Sequence, residues 1–248
     1  MKIFITGGTT GIGISLAESY LKDGHTVGIC GRDLAKLPAD FLTKYPRAQA
    51  YTADVTEREL LQKCIRDFAA GELDLLIANA GISMGSKTTT PDFAASRRII
   101  DTNVLGVYHS FEEAFNLMQP RGKGHMVAIA SVAGFMGLPG AGAYSASKAA
   151  VLRLCESFAI DFKQFGIDIT AIAPGFIKTP LTDKNDHAMP FIISAECAVE
   201  KIKKSIAQKK VLAIFPWRMK IVVYILEKMP RRLYRWIMTA KMANYSKG

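Results

Sequence analysis

Tyr144 and Lys148 stand four residues apart in Tyr144-Ser145-Ala146-Ser147-Lys148. On a helix that spacing puts both side chains on one face. A free phenol titrates near 10. A neighbouring ammonium would stabilise the phenolate, lower that value and make proton exchange near neutral pH feasible. A second pair of the same spacing, Tyr224 and Lys228, occurs near the C-terminus. Context separates the two. Ser131 lies at the end of an apolar run thirteen residues before Tyr144, whereas Tyr224 has no such partner and reads as an amphipathic helix face.

A glycine cluster offers the second piece of chemistry. Thr6-Gly7-Gly8-Thr9-Thr10-Gly11-Ile12-Gly13 follows the first apolar run and opens a helical pattern. Glycines there let the backbone turn tightly and approach a pyrophosphate. The helix N-terminus then offers free N–H groups and a positive dipole end. The next apolar run ends in Gly31-Arg32. NAD enzymes usually carry a carboxylate at that place for the ribose 2′-hydroxyl. A glycine leaves room for a 2′-phosphate, which the Arg32 guanidinium could hold by two hydrogen bonds, with Thr9 and Thr10 adding hydroxyl contacts. This points to NADP(H). The alternative is a solvated Arg32 paired with Asp33.

The elements that must position these groups follow from periodicity. Strands are expected at Lys2–Thr6, Thr26–Cys30, Gln49–Ala53, Asp74–Asn79, Met126–Ala130, Asp168–Ala173 and Val211–Phe215. Helices are expected at Ile12–Lys22, Glu57–Ala70, Asp92–Met118, Ala143–Phe165 and Ala195–Gln208. Strand and helix in alternation make stacked βαβ units, an α/β architecture whose parallel sheet is covered on both faces. Ligands in such sheets bind beyond the carboxyl ends of the strands. Those ends carry Gly7–Gly13, Gly31–Asp33, Asp54, Asn79–Gly81, Ser131 and Pro174–Thr179.

In order and spacing, the glycine pattern, Asn79-Ala80-Gly81, Asn103, Ser131, the Tyr144/Lys148 pair and Pro174-Gly175 resemble the short-chain dehydrogenase/reductases over about residues 1–215. The resemblance implies a doubly wound Rossmann-type sheet of seven strands in the order 3-2-1-4-5-6-7. It implies that Tyr144 exchanges a proton with a carbonyl or alcohol oxygen and that Lys148 holds the nicotinamide ribose and tunes Tyr144. Ser131 would hydrogen-bond the substrate oxygen, and Asn103 would hold a water that links Lys148 to solvent. Asp54 and Val55 would border the adenine. Asn79 would steady the central strands, with Ala80 beside it, and Gly81 would let the cofactor pass. Pro174, Gly175 and Thr179 would face the nicotinamide and pyrophosphate. The implied activity is hydride transfer between NADP(H) and a carbonyl or alcohol. Two rivals remain, a non-catalytic NADP(H) sensor and a sugar-nucleotide enzyme of the extended family.

The substrate lid in such proteins follows the Pro-Gly segment. Here it would be Leu181–Ile193, with Met189, Pro190, Phe191 and Ile192 as its apolar part; Phe135, Met136, Leu138 and Met84 could line the same cleft. Such linings suit a hydrophobic, acyl- or lipid-like ketone; the alternative is ordinary loop packing. His25, His109, His125 and His187 share no metal-ligand spacing, and Cys30, Cys64, Cys155 and Cys197 form no Cys-x-x-Cys pair, so neither a metal nor a disulfide framework is expected. The short apolar run Ile3–Ile5 is no secretory signal, which sets the expectation of a cytoplasmic protein.

The net charge of +10 is uneven: residues 215–248 hold eight Lys/Arg against Glu227 alone. Residues 216–248 are therefore expected as a separate basic, amphipathic, helical tail behind the catalytic domain of residues 1–215. Leu233, Trp236, Ile237 and Ala240 form an i, i+3, i+4, i+7 stripe flanked by Arg231, Arg232, Arg235 and Lys241. The tail is too short in apolar residues to span a bilayer. It could lie on an anionic membrane surface, or pack on its own core or on a second copy in a homo-oligomer, of which a dimer is the expected form. Nucleic-acid binding is not expected, since no recognition motif is present.

Overall fold

The computed structural model describes residues 1–83, 92–179, 182 and 189–239. Its sheet has seven parallel strands, β1 (Lys2–Thr6), β2 (Thr26–Gly31), β3 (Ala48–Thr52), β4 (Leu75–Ala78), β5 (Gly124–Ile129), β6 (Ile167–Pro174) and β7 (Leu212–Phe215). They lie in the order β3-β2-β1-β4-β5-β6-β7, so the order reverses between β1 and β4. Chain position alone does not make β1 and β4 neighbours. Their pairing, Ile3 beside Leu75 and Ile5 beside Ile77, opens the crevice at the switch point.

Each strand feeds both faces, because successive side chains point to opposite sides. Ile3, Ile5, Leu75, Ile77, Val127 and Ile129 pack on the side of α1 (Gly11–Lys22) and α7 (Ala195–Ala207). Phe4, Leu76, Ala78, Met126 and Ala128 pack on the other side, under α3 (Arg58–Ala69), α5 (Gly106–Met118) and α6 (Gly142–Asp161). The stripe Leu61, Cys64, Ile65 and Phe68 aims α3 into this second core, and Ala70 at φ 44° followed by Gly71 at φ 84° ends the helix in the left-handed region. A single turn, α2 (Phe41–Lys44), buries Phe41 at the edge of the first core.

Two departures from the expected elements bear on the site. The long helix after β4 is α4 (Phe93–Ile100) joined to α5 by a π-helical turn, Asp101–Leu105. Such turns re-aim side chains, and this one turns Asn103 inward. The helix that carries Tyr144 ends at Asp161 and tightens into a 3-10 turn over Phe162–Phe165. Beyond β7 lie α8 (Trp217–Lys228) and α9 (Arg231–Thr239), separated at Met229-Pro230, where proline removes a helical N–H.

Candidate active site

The carboxyl ends of β1, β2, β4, β5 and β6 border one cleft of about 280 Å³. At its floor is the glycine loop. Gly7 stands at φ 63°, and a Cβ there would come within 2.8 Å of the Ala80 backbone. A Cβ at Gly13 would lie 2.1 Å from the Gly7 carbonyl oxygen, so Gly13 is the contact that lets α1 rest on the loop; it does not line the cleft. Thr10 is the N-cap of α1, yet its side chain makes no capping hydrogen bond. The first N–H groups of the helix are therefore left for an anion. Thr179 packs against Gly11 at this end, held by Thr182, whose hydroxyl accepts from the Thr179 N–H at 2.9 Å and donates to the Ile177 carbonyl at 2.7 Å. This cradle fits a dinucleotide pyrophosphate.

The loop is tied to β4. Asn79 Nδ2 donates to the carbonyls of Thr6 and Gly7, both at 3.0 Å. The Thr6 hydroxyl oxygen accepts from the N–H groups of Asn79 and Ala80, both at 3.1 Å. Four bonds thus lock the crevice across the switch point.

The end of β2 corrects one expectation. The space beside Gly31 is taken by Thr9: a Cβ at Gly31 would lie 2.7 Å from Thr9 Cγ2 and 2.8 Å from Thr9 Oγ1. A methyl-bearing side chain already fills the room that a missing carboxylate would leave. Arg32 is not paired with Asp33. Its Nε lies 4.0 Å from Asp54 Oδ2, while Asp33 accepts from the Ala35 N–H at 3.0 Å and lies 3.9 Å from Lys36 Nζ. Asp33 is thus engaged in the local 3-10 turn, and Arg32 and Lys36 line the cleft together with Thr9, Thr10, Asp54 and Val55.

Ser131, Tyr144 and Lys148 meet on the opposite wall. Ser131 starts the turn after β5 and α6 supplies the other two. Lys148 is buried, and its Nζ donates to the Ile129 carbonyl at 2.8 Å and lies 5.7 Å from the Tyr144 ring centroid. Burial pushes its ammonium down from 10.5 to about 8. Tyr144 differs from the expectation of a lowered phenol. Burial pushes it up, and the hydrogen bond with Ser131 opposes that shift without cancelling it. Desolvation of the phenolate is the larger influence.

Asn103 is fully buried behind this wall and does not line the cleft. Its Oδ1 accepts from the Ile82 N–H at 2.8 Å, and its Nδ2 donates to the Ile82 carbonyl and to Ser147 Oγ, both at 3.0 Å. These bonds clamp Gly81-Ile82 onto α6, and a Cβ at Gly81 would be 3.3 Å from Asn103 Oδ1 and 3.5 Å from Lys148 Nζ. Pro174 and Gly175 close the cleft above β6. Sequence reading passed over Lys36, Ile82 and Thr102, which also line it, while Ile177 and Thr182 line it from within the expected strand-end and lid segments. Lys36, a cation four residues after Arg32, carried a readable signal. The others came into view only through the loops that fold back onto the strand ends.

The expected substrate lining is the largest correction. Met136 is buried with Val223 and Tyr234, and Phe135, Leu138, Leu226, Met229 and Met238 pack around them. The Tyr234 hydroxyl donates to the Gly137 carbonyl. The segment after Ser131 therefore turns its apolar side chains to the tail, because α8 and α9 lie over it. Met84 and Leu181 lie outside the described residues.

Comparison with known proteins fits this geometry. Residues 1–190 match the short chain dehydrogenase family. An uncharacterized oxidoreductase of Myxococcus xanthus is 35% identical over 237 residues, covering 93% of either chain. A 3beta-hydroxysteroid dehydrogenase of Mediterraneibacter gnavus is 34% identical over 189 residues, 74% of this chain and 68% of that one. The solved structure of ElxO with NADP bound superposes with a TM-score of 0.77 at 30% identity, covering 86% of this chain and 96% of that one. With this sheet order, this glycine cradle and this match over most of its length, the chain belongs to the short-chain dehydrogenase/reductase family of oxidoreductases.

Proposed function

We propose that the protein reduces a hydrophobic ketone, or oxidises the corresponding alcohol, with NADP(H) as the redox partner. The observation that carries the reading is the convergence of Ser131, Tyr144 and Lys148 on one wall of a cleft whose floor is an anion-binding helix N-terminus. When bound, the nicotinamide supplies or accepts the hydride. The chain's own residues do the rest. Ser131 orients the substrate oxygen. Tyr144, held protonated by burial, donates its phenolic proton to the developing alkoxide in reduction and accepts it in oxidation. Lys148 holds a positive charge behind the phenol and stabilises the phenolate formed after transfer. Asn103 keeps Ile82 and Ser147 in place around them.

Preference for the 2′-phosphorylated cofactor is supported by Arg32 and Lys36 beside Thr9, with no carboxylate at position 31. ElxO, a relative by fold and sequence, is seen with NADP. A hydrophobic substrate is supported by the relative named for a hydroxysteroid and by the apolar exposed Phe191 and Ile192. The test is a turnover assay of Tyr144→Phe against wild type, following reduced nicotinamide absorbance with a panel of water-soluble and apolar ketones. The variant keeps cofactor affinity and loses about a hundredfold to ten-thousandfold in kcat. Retention of more than a tenth of wild-type kcat, with chemistry rate-limiting, defeats the assignment.

A further inference from the structure

Helix α8 has two apolar faces. Met219, Val223 and Leu226, at i, i+4 and i+7, face inward, where Met219 touches Gly175 and Val223 joins Met136 and Tyr234. Trp217, Ile221, Tyr224 and Ile225, at i, i+4, i+7 and i+8, lie on the opposite side at ~100° per residue. All four are exposed, Trp217 at 67% and Tyr224 at 64%. On α9 the buried residue is Tyr234, which leaves Leu233 and Trp236 of the expected stripe outside, Trp236 at 72%. So large an uncovered apolar stripe marks an interaction surface.

The flanks of this surface are cationic. Arg218 and Lys220 border the outer stripe of α8, and Arg231, Arg232 and Arg235 stand on α9. Glu227 is the sole acid among residues 216–239. Two such faces brought together by a twofold axis would oppose cation to cation, so a second copy is a poor fit. An apolar stripe with aromatic rings and basic flanks matches the boundary between headgroups and acyl chains of an anionic bilayer. No helix among the described residues is long and apolar enough to cross a membrane.

The same surface reaches the segment that follows β6, whose first residues line the cleft. The Arg218 guanidinium lies 5.5 Å from the Trp217 ring and 5.6 Å from the Phe191 ring, linking the tail to the segment after β6. Phe191 stands at φ 58°, a conformation rare for a bulky residue, and the residue is 40% exposed. We propose that the outer faces of α8 and α9, together with Phe191, dock the protein on an anionic phospholipid surface with the cleft-bordering loop at the lipid boundary. Delivery of a bilayer-dissolved ketone through that loop rests on the function proposed above; the docking itself does not.

The chain has two tryptophans, both on this surface, so intrinsic emission reports the docking directly. The full-length protein is mixed with vesicles of phosphatidylcholine alone, or with a third of phosphatidylglycerol, at low salt. Docking predicts flotation with the anionic vesicles, a blue shift of tryptophan emission and quenching by brominated acyl chains. It also predicts release at 1 M salt, where screening shortens to about 3 Å. Replacing Arg231, Arg232 and Arg235 with Glu lowers the partition coefficient by at least about a hundredfold. Trp217→Glu with Trp236→Glu abolishes flotation, and both variants keep the wild-type melting curve. With Trp217→Phe and Trp236→Phe as background, Phe191→Trp gives an emission that shifts on the same vesicles. Wild type that ignores anionic vesicles, or binds neutral ones equally well, overturns the proposal. So does dissociation of an oligomer by Trp217→Glu in a protein that binds no vesicle, which would assign the face to a second copy. Failure to turn over any ketone counts against the proposed function and leaves the flotation result standing.

Discussion

Thr9 fills the space that a side chain at Gly31 would need, with its Cγ2 2.7 Å and its Oγ1 2.8 Å from the Cβ position. The pair couples the glycine loop to the end of β2. Gly31→Asp alone is expected to push Thr9 out of place, weaken NADPH binding and fail to create tight NADH binding. Gly31→Asp combined with Thr9→Ala makes room for the carboxylate and moves preference toward NADH. Dissociation constants of both nucleotides by quenching or calorimetry check this; a full switch by the single substitution contradicts it.

Arg32 and Lys36 should carry the discrimination for the phosphate. Loss of a charge-assisted bond costs about 1.5–3 kcal/mol, so Arg32→Ala raises the KM for NADPH by roughly tenfold to a hundredfold and leaves NADH nearly unchanged. A wild-type enzyme that prefers NADH would remove the basis for this expectation.

Lys148 makes stability and activity depend on pH. Its folded value, about 8, lies below the ordinary 10.5. Across that window the unfolded chain binds more protons than the native one, so stability rises with pH. Denaturant melts without cofactor should show wild type gaining on Lys148→Met by up to about 3 kcal/mol as pH goes from about 7 to about 10.5. In activity the direction is opposite. Once Lys148 loses its charge only the Ser131 hydrogen bond is left to stabilise the phenolate, so kcat/KM for ketone reduction falls as pH rises through about 8. A flat profile across that range would exclude Lys148 from the role.

Asn103 should act through Ile82. Asn103→Ala strands the part-buried Ile82 N–H and carbonyl, and each unpaired group costs up to about 1–3 kcal/mol. The melting temperature is expected to drop by several degrees and cofactor affinity to weaken with it. An unchanged melt would mean that the clamp is dispensable.

Tyr234 is the hinge between tail and active-site segment through its bond to Gly137. Tyr234→Phe should lose about 0.5–1.5 kcal/mol, and Tyr234→Ala several kcal/mol by emptying the cluster of Met136 and Val223. Urea titrations of the two variants measure the difference.

All seven strands were legible from local pattern, each within two residues of its observed ends, because strands buried on both faces are short apolar runs bounded by polar turns. The glycine loop was equally plain, since Gly7 and Gly13 sit where backbone atoms leave no space for a side chain. The Tyr144/Lys148 pair needed helical spacing and the preceding Ser131, which sets it apart from Tyr224/Lys228. What sequence could not decide was anything set by contacts between distant segments. Whether Gly31 leaves room depends on where Thr9, twenty-two residues away, points. The direction of the Tyr144 shift depends on burial in the folded cleft, which the Ser131 hydrogen bond opposes without cancelling. Asn103 reads as one more helix residue until the π turn aims it at Ile82. Met136 and Leu138 are as apolar as any cleft lining; only the placement of α8 and α9 assigns them to the tail. Periodicity reports which side of an element is apolar, and tertiary structure alone determines what covers that side.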